Sequence, residues 1–214
     1  MDINVEKNKY KFIELLRKIT REGAAIDRFI YKLEHSDFFE APCSTKYHLA
    51  VRGGLCAHCL SVYTALCQLA NLYAPEQFSE ETLIIAALCH DMDKMNKYEE
   101  TFKNVKVYSP DGKKYDEGGK FDWVAQKSYV VKDASERFIY GHHGQNSEYI
   151  TGSFIPLTIE ESIAINNHMG NIFDDYKCLD ISDIYTKYPL ATFLHIADYV
   201  STFYLETQQG GIEQ

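Results

Sequence analysis

ALCHDMDKM, residues 87–95, ends an apolar run with an imidazole, two carboxylates and an ammonium group. Upstream, Leu83, Ile84, Ala87 and Leu88 recur at the three-and-four spacing of one buried helix face, so a helix is expected over residues 80–97. On that helix Asp91 lies four residues after Ala87 and three after Leu88 and projects from the core side, while His90 and Lys94, four apart, share a face. A carboxylate aimed into an apolar interior needs a paired charge or a bound cation. What satisfies Asp91 decides what kind of core this chain builds.

Other helical stretches pose the same problem. His58 stands three residues from Leu55 and four from Val62 on the apolar face of 55–73; His168 follows Ile165 by three, and Asp198 follows Leu194 by four. Each alone has an ordinary alternative: a hydrogen-bonded core histidine, a cap, or a partner for lysine. Together they put an imidazole or carboxylate on or beside an apolar face of several separate helices. A divalent transition metal held between packed helices accounts for that set economically.

Helical periodicity runs along most of the chain. Residues 9–19 and 23–34 read as amphipathic helices, 36–54 as a loop, and 80–97 as described. The period then changes. VKVYSPDGKKY contains the turn Ser109-Pro110-Asp111-Gly112, and FDWVAQKSYVV is rich in β-formers, giving a hairpin insert at about 103–131. Helical pattern resumes near 144. Thr158 and Glu161 form a capping box with Gly170 as the stop, PLATFLHIADYVSTFYLE is the last helix, and the tail is expected to be disordered. The fold expected is an all-α helical bundle with a small β-hairpin insert.

The 214 residues, 45% hydrophobic with a net charge of −9, suit one compact domain and argue against broad binding to nucleic-acid backbone. The longest purely apolar run, LIIAALC at 83–89, is short for a membrane span, and MDINVEKNKYKF has no signal-peptide pattern, so a cytoplasmic protein without a membrane partner is expected. Six cysteines are present; Cys59, Cys67 and Cys89 fall in apolar helical patterns, and the CxxC of Cys56 and Cys59 lacks the second pair of a zinc ribbon.

His58, the doublet His90-Asp91 and a late Asp198, in that order, resemble the signature of the HD-domain superfamily of metal-dependent phosphohydrolases. The resemblance covers most of the chain through GGLCAHCLSVY, ALCHDMDK, GHHGQNS, NHMG and LHIADYVST. It implies N-terminal helices (1–40) packed on an HD domain (41–208) with a flexible tail (209–214). It further implies that His58, His90, Asp91 and Asp198 hold a first metal, that Asp91 bridges to a second, and that His143 and His168 complete the second. His142, in the same GHHG, stays open as the alternative to His143. Asp93 is read either as an acceptor that orients His90 or as a solvated helix residue. His195 is read as core or as a support behind the ligands, His48 as bordering the site, and His35 as weaker still.

The cofactor implied is one or two divalent transition ions (Mn, Fe, Co, Ni or Zn). Such an ion lowers the pKa of water to about 7 and so supplies a nucleophile at neutral pH. Lys94 is placed to offset charge on phosphoryl oxygens, and Arg52, before Gly53-Gly54, to bind a substrate phosphate. Asp91 and Lys94 are therefore the expected catalytic pair, and the expected partner is a small anionic phosphate-containing substrate, a nucleotide or short oligonucleotide. Two other activities fit the same ligands: a diiron oxygenase, and a regulatory domain whose metal is structural. The hairpin, with Lys113, Lys114, Lys120 and Lys127, is read either as core cover through Phe121, Trp123 and Tyr129 or as a pocket wall.

Overall fold

A computed structural model describes residues 3–170 and 181–209. The helices are α1 (Val5–Leu16), α2 (Ile26–Glu34), α3 (Gly54–Tyr73), α4 (Glu80–Cys89), α5 (His143–Gly152), α6 (Ile159–Asn167), α7 (Ile181–Lys187), α8 (Pro189–Val200) and the short α9 (Glu206–Gln209). Between α4 and α5 stand β1 (Tyr98–Tyr108), β2 (Lys114–Asp116) and β3 (Gly119–Val131). All but Gln209 of the expected tail lies outside the described residues.

The architecture is mixed α/β, mostly helical, which corrects the all-α expectation. A three-stranded antiparallel sheet in the order β1-β3-β2 replaces the small hairpin, and it begins at Tyr98 rather than near 103. β1 pairs with β3 along its whole length, from Tyr98↔Val131 to Tyr108↔Phe121. The Ser109–Gly112 turn forms, with Gly112 N–H donating to Ser109 O, but the chain goes on to add β2. The hairpin that closes β2 on β3 lies at Asp116–Gly119, where Asp116 accepts from Gly118 N–H and Gly119 takes a φ of 114°. Alternating β-branched and aromatic residues sustain strands long enough to make the sheet an element of its own.

Two apolar clusters fill the helical body. Phe12, Leu16, Phe29 and Leu33 of the N-terminal helices join Leu55, Ile84 and Leu88 in one. Val62 and Leu66 of α3 join Ala87, Ala164, Leu190 and Leu194 in the other. By length and composition α3 is apolar enough to cross a membrane, but it threads both clusters, with Leu55, Cys59, Val62 and Leu66 fully buried.

The helix that begins at Glu80, capped by Ser79 accepting from Thr82 N–H, stops at Cys89 instead of running to 97. A 3₁₀ turn, Met92–Lys94, follows it. The helical stretch expected from Pro189 to Glu206 is interrupted by a π-helical turn, Ser201–Leu205. Both departures fall beside the polar groups singled out from sequence.

Candidate metal centre

Local backbone rules aim each candidate ligand. His90 is the C-cap of α4 and His168 the C-cap of α6, and in both the Nδ1–H donates to the carbonyl three residues back: Ala87 O at 2.8 Å and Ile165 O at 2.7 Å. The last carbonyls of a helix lack backbone donors, so a C-cap imidazole satisfies one and turns its Nε2 the other way. A carbonyl only accepts, which places the proton on Nδ1 and leaves Nε2 bare in the neutral ring.

His58, on the buried face of α3, is held in the same tautomer by a carboxylate: its Nδ1 lies 2.7 Å from Glu206 Oε1. The π-helical turn delivers that glutamate. An uninterrupted α-helix would leave Glu206, eight residues after Asp198, about 80° round the axis from it. The wider turn, closed by Glu206 N–H donating to Ser201 O, rotates less per residue and returns Glu206 to the side of Asp198. Asp198 Oδ1 then lies 3.2 Å from His58 Nε2, while Glu206 takes the opposite nitrogen.

The aimed groups converge. His90 Nε2 and His58 Nε2 are 3.3 Å apart, and Asp91 Oδ2 lies 3.4 and 3.5 Å from them. Asp91 Oδ1, on the other side, lies 2.7 Å from His143 Nε2 and 3.7 Å from His168 Nε2. Three sets, His58–His90–Asp91, His90–His168–Asp198 and Asp91–His143–His168, each place their ligand atoms within 4.8 Å of one another. These buried His and Asp groups lie at metal-binding distance.

The donor set fits a cation on two observations. His58 Nε2 and His90 Nε2 face each other at 3.3 Å, an arrangement that needs a proton or a metal between them. His168 Nε2 is buried with no hydrogen-bond partner among the described residues. An orphaned nitrogen aimed at a carboxylate in a dry interior costs about 1–3 kcal/mol unless something binds it.

Electrostatics follow from this crowding. Burial pushes His168 down to about 3, reinforced by His90 and His143, so it stays the neutral imidazole that a metal requires. Burial likewise lowers His90 and takes His48 to about 4. Burial opposes the charged form of Asp91, but Lys94, His90 and His143 overcome it and hold the carboxyl well below its ordinary value. For His58 the balance reverses: burial is outweighed by Cys43, Asp198 and Glu206, and the imidazole is raised.

The structure brings together His58, His90, Asp91, His143, His168, Asp198 and Lys94. Lys94 Nζ sits 2.7 Å from Asp91 Oδ2 and 3.5 Å from Cys43 Sγ. Arg52 is not among them: it is exposed and ion-paired with Glu40 at 2.6 Å. Nor do the glycines admit a phosphate there. A Cβ on Gly54 would fall 2.1 Å from Leu49 O, so the close approach they permit is of the chain's own loop. His142 caps α5, accepting from Gln145 N–H, while His143 faces Asp91.

Asp93 serves His143 rather than His90. Its Oδ2 lies 2.8 Å from His143 Nδ1, its Oδ1 accepts from Asn146 Nδ2, and its backbone N–H donates to Ser147 Oγ. Because α4 ends at Cys89, the count of three from His90 no longer sets a shared face. Despite burial, His143 and Lys97 hold its carboxyl down at about 2. His195 donates to His168 O at 2.6 Å and so supports the turn that carries that ligand.

Sequence reasoning missed Glu206, Asn146, Cys43 and Tyr98. Glu206 is legible only once the helix is known to widen. Tyr98 opens β1 close to Lys94 and Asp91, and burial raises its phenol to about 12. Exposure locates the mouth of the centre: the side chains of His143, Asp198 and Lys94 are 16, 16 and 15% exposed, against 2% or less for His58, His90, Asp91 and His168.

Comparison of the chain with protein-family models, with curated proteins and with solved structures finds no match in any of the three.

Proposed function

We propose that the chain is a metal-dependent phosphohydrolase of the HD type, acting on a phosphomonoester or phosphodiester of a nucleotide or short oligonucleotide. One observation carries this reading: imidazole nitrogens and Asp91 converge on a buried point with the Lys94 ammonium against Asp91 at its mouth. The order of the ligands, which resembles that superfamily, supports it.

His58, His90, Asp91 and Asp198 would hold one divalent ion, and Asp91 with His143 and His168 a second. When bound, such ions activate water at neutral pH and draw charge from phosphoryl oxygens. The chain's own residues do the rest. Glu206 and the Ala87 and Ile165 carbonyls hold the tautomers of His58, His90 and His168, and Asp93 holds the ring of His143. Lys94, sharing Asp91 Oδ2, presents its ammonium on the open side, where it offsets charge on an entering phosphoryl group. Tyr98 stands beside it with a neutral hydroxyl able to donate to the same oxygens.

Turnover of a panel of nucleotides and generic phosphoesters by manganese-loaded and chelator-treated protein tests the reading. Phosphate or alcohol release that depends on added metal and disappears in Lys94→Ala with metal content intact is the expected result. Oxygen consumption by the iron-loaded protein with no phosphoester turned over would contradict it and point to an oxygenase.

A further inference from the structure

Beside His58 lies a second group of donors, of which the centre above uses only His58 itself. We propose that Cys43, His48 and His58 form a thiolate-bearing metal position that takes a thiophilic divalent ion, zinc foremost, in competition with the carboxylate side.

The 43–49 loop is built to hold two of these donors together. Cys43 N–H donates to Leu49 O at 3.0 Å, Ser44 Oγ donates to His48 O at 2.9 Å, and Tyr47 N–H donates to Ser44 Oγ at 3.0 Å. Leu49 takes a φ of 45°, and Gly54 lets its carbonyl pack against the start of α3, one turn before His58. Cys43 Sγ, fully buried, therefore lies 3.2 Å from His48 Nε2, and the His48 ring centres 5.0 Å from that of His58. The ligand atoms of the three lie within 4.8 Å of one another.

His58 links the two flanks and makes them exclusive. Its Nδ1 is committed to Glu206, so an ion on either flank must use Nε2, and one lone pair serves one ion. The flanks differ in chemistry: imidazoles with carboxylates on one, a thiol with imidazoles on the other. Thiolate selects zinc over manganese or magnesium, whereas carboxylate suits the harder ions. Binding replaces the thiol proton by the metal, releasing one proton to solvent with no change of oxidation state. Lys94 Nζ, 3.5 Å from Cys43 Sγ and 2.7 Å from Asp91 Oδ2, touches both flanks. The outcome is a protein that harder ions load on the carboxylate side and that zinc draws to the thiolate side. The competition, though not the thiolate position itself, rests on the metal centre proposed above.

Cobalt(II) titrated into the full, chelator-treated chain reads the position directly, because a cobalt–thiolate bond gives a near-ultraviolet charge-transfer band that nitrogen and oxygen ligands do not. Wild type is expected to show the band, Cys43→Ser to lose it while keeping visible d–d absorption from cobalt on the carboxylate side, and His48→Gln to need at least tenfold more cobalt to develop it. Zinc should erase the band in wild type, and manganese should erase it only at much higher concentration. Cobalt bound without a charge-transfer band in wild type, or a band that survives in Cys43→Ser, overturns the proposal. If Cys43→Ser does not fold, the His48→Gln titration decides: an unchanged cobalt requirement overturns it. A Cys43-dependent band in a protein that turns over no phosphoester keeps the thiolate position and sinks only the hydrolase reading.

Discussion

The helical body and the sheet handle charge in opposite ways. In the sheet, cations and anions meet at the surface as ordinary pairs, Lys127 with Glu100 and Lys106 with Asp116, the latter ammonium also lying over Phe121 and Trp123. Phe121 is buried, but under its own strands, against Tyr108 and Trp123; Trp123 itself is half exposed, and neither belongs to the helical clusters. The expectation that Phe121 and Trp123 cover the core therefore fails. In the body, Asp91, His58, His90 and His168 are buried among apolar side chains and meet one another there, with His168 Nε2 left without a partner among the described residues. Surface pairs contribute little to stability wherever they fall, whereas buried polar groups persist only if something completes them. That contrast is why the proposed chemistry is placed in the body.

The largest break in the contrast comes from Asp91→Ala. It removes a group shared by four imidazoles and Lys94, so turnover should fall to that of chelated protein. The metal-free fold should also lose about 3 kcal/mol, because Lys94 and His143 keep their positions without a carboxylate. Turnover assays and denaturant titrations check both parts. Wild-type turnover in this variant would remove Asp91 from the centre.

Next in size is Glu206→Ala. Without its carboxylate the His58 ring loses its tautomer and orientation, and metal affinity should drop by about 10–100-fold. Glu206→Gln, whose amide oxygen still accepts from Nδ1–H, should recover most of that loss. Equal affinities for all three proteins would mean that the π-helical turn places Glu206 for some other reason.

A smaller effect concerns pH in the metal-free protein. His168 is neutral in the fold, lowered to about 3, but takes a proton near 6.5 once unfolded, so its contribution is complete above 6.5 and is lost as pH falls toward 3. Wild type should therefore lose stability relative to His168→Gln below pH 6.5, with a slope of up to about 1.4 kcal/mol per pH unit. The difference between their denaturant midpoints should shift against wild type on acidification across that range; a constant gap would show that His168 is not sealed from solvent.

The smallest change in the body is expected from removing the sheet. Lys132 N–H donates to Lys97 O, so the strands leave and return at one point and a short Gly-Ser link can replace Glu99–Val131. Metal content and the melting of the helices should hold. The Michaelis constant for a nucleotide should rise far more than that for a small phosphoester, because Tyr98 ties the base of the sheet to the mouth. Equal losses toward both substrates would leave the sheet without a part in recognition.

Much of this was legible from spacing. Apolar residues at three and four placed α3 and α4, the Thr158–Glu161 capping box set the start of α6, and positions on or beside apolar faces marked His58, Asp91, His168 and Asp198 as groups in need of a partner. What spacing did not show is where helices stop being α-helices. α4 ends at Cys89, which moved Asp93 from His90 to His143, and the turn after Val200 widens, which brought Glu206 to His58. Both changes depend on tertiary packing rather than on local periodicity. The size of the sheet was missed because Ser109-Pro110-Asp111-Gly112 reads as a hairpin tip, while the closing turn is Asp116–Gly119. Arg52 failed because a glycine pair is as open to the chain's own carbonyl as to a phosphate.

The function proposed for this chain depends on the buried His and Asp cluster holding metal. Crystals of protein purified without chelator, measured at the absorption edges of the first-row transition metals, test it most directly through the anomalous difference map. A peak among His58 Nε2, His90 Nε2, Asp91 and Asp198, with or without a second beside His143 and His168 Nε2, is the predicted result. A map with no peak at the cluster, in crystals of protein that still turns over substrate, would contradict it.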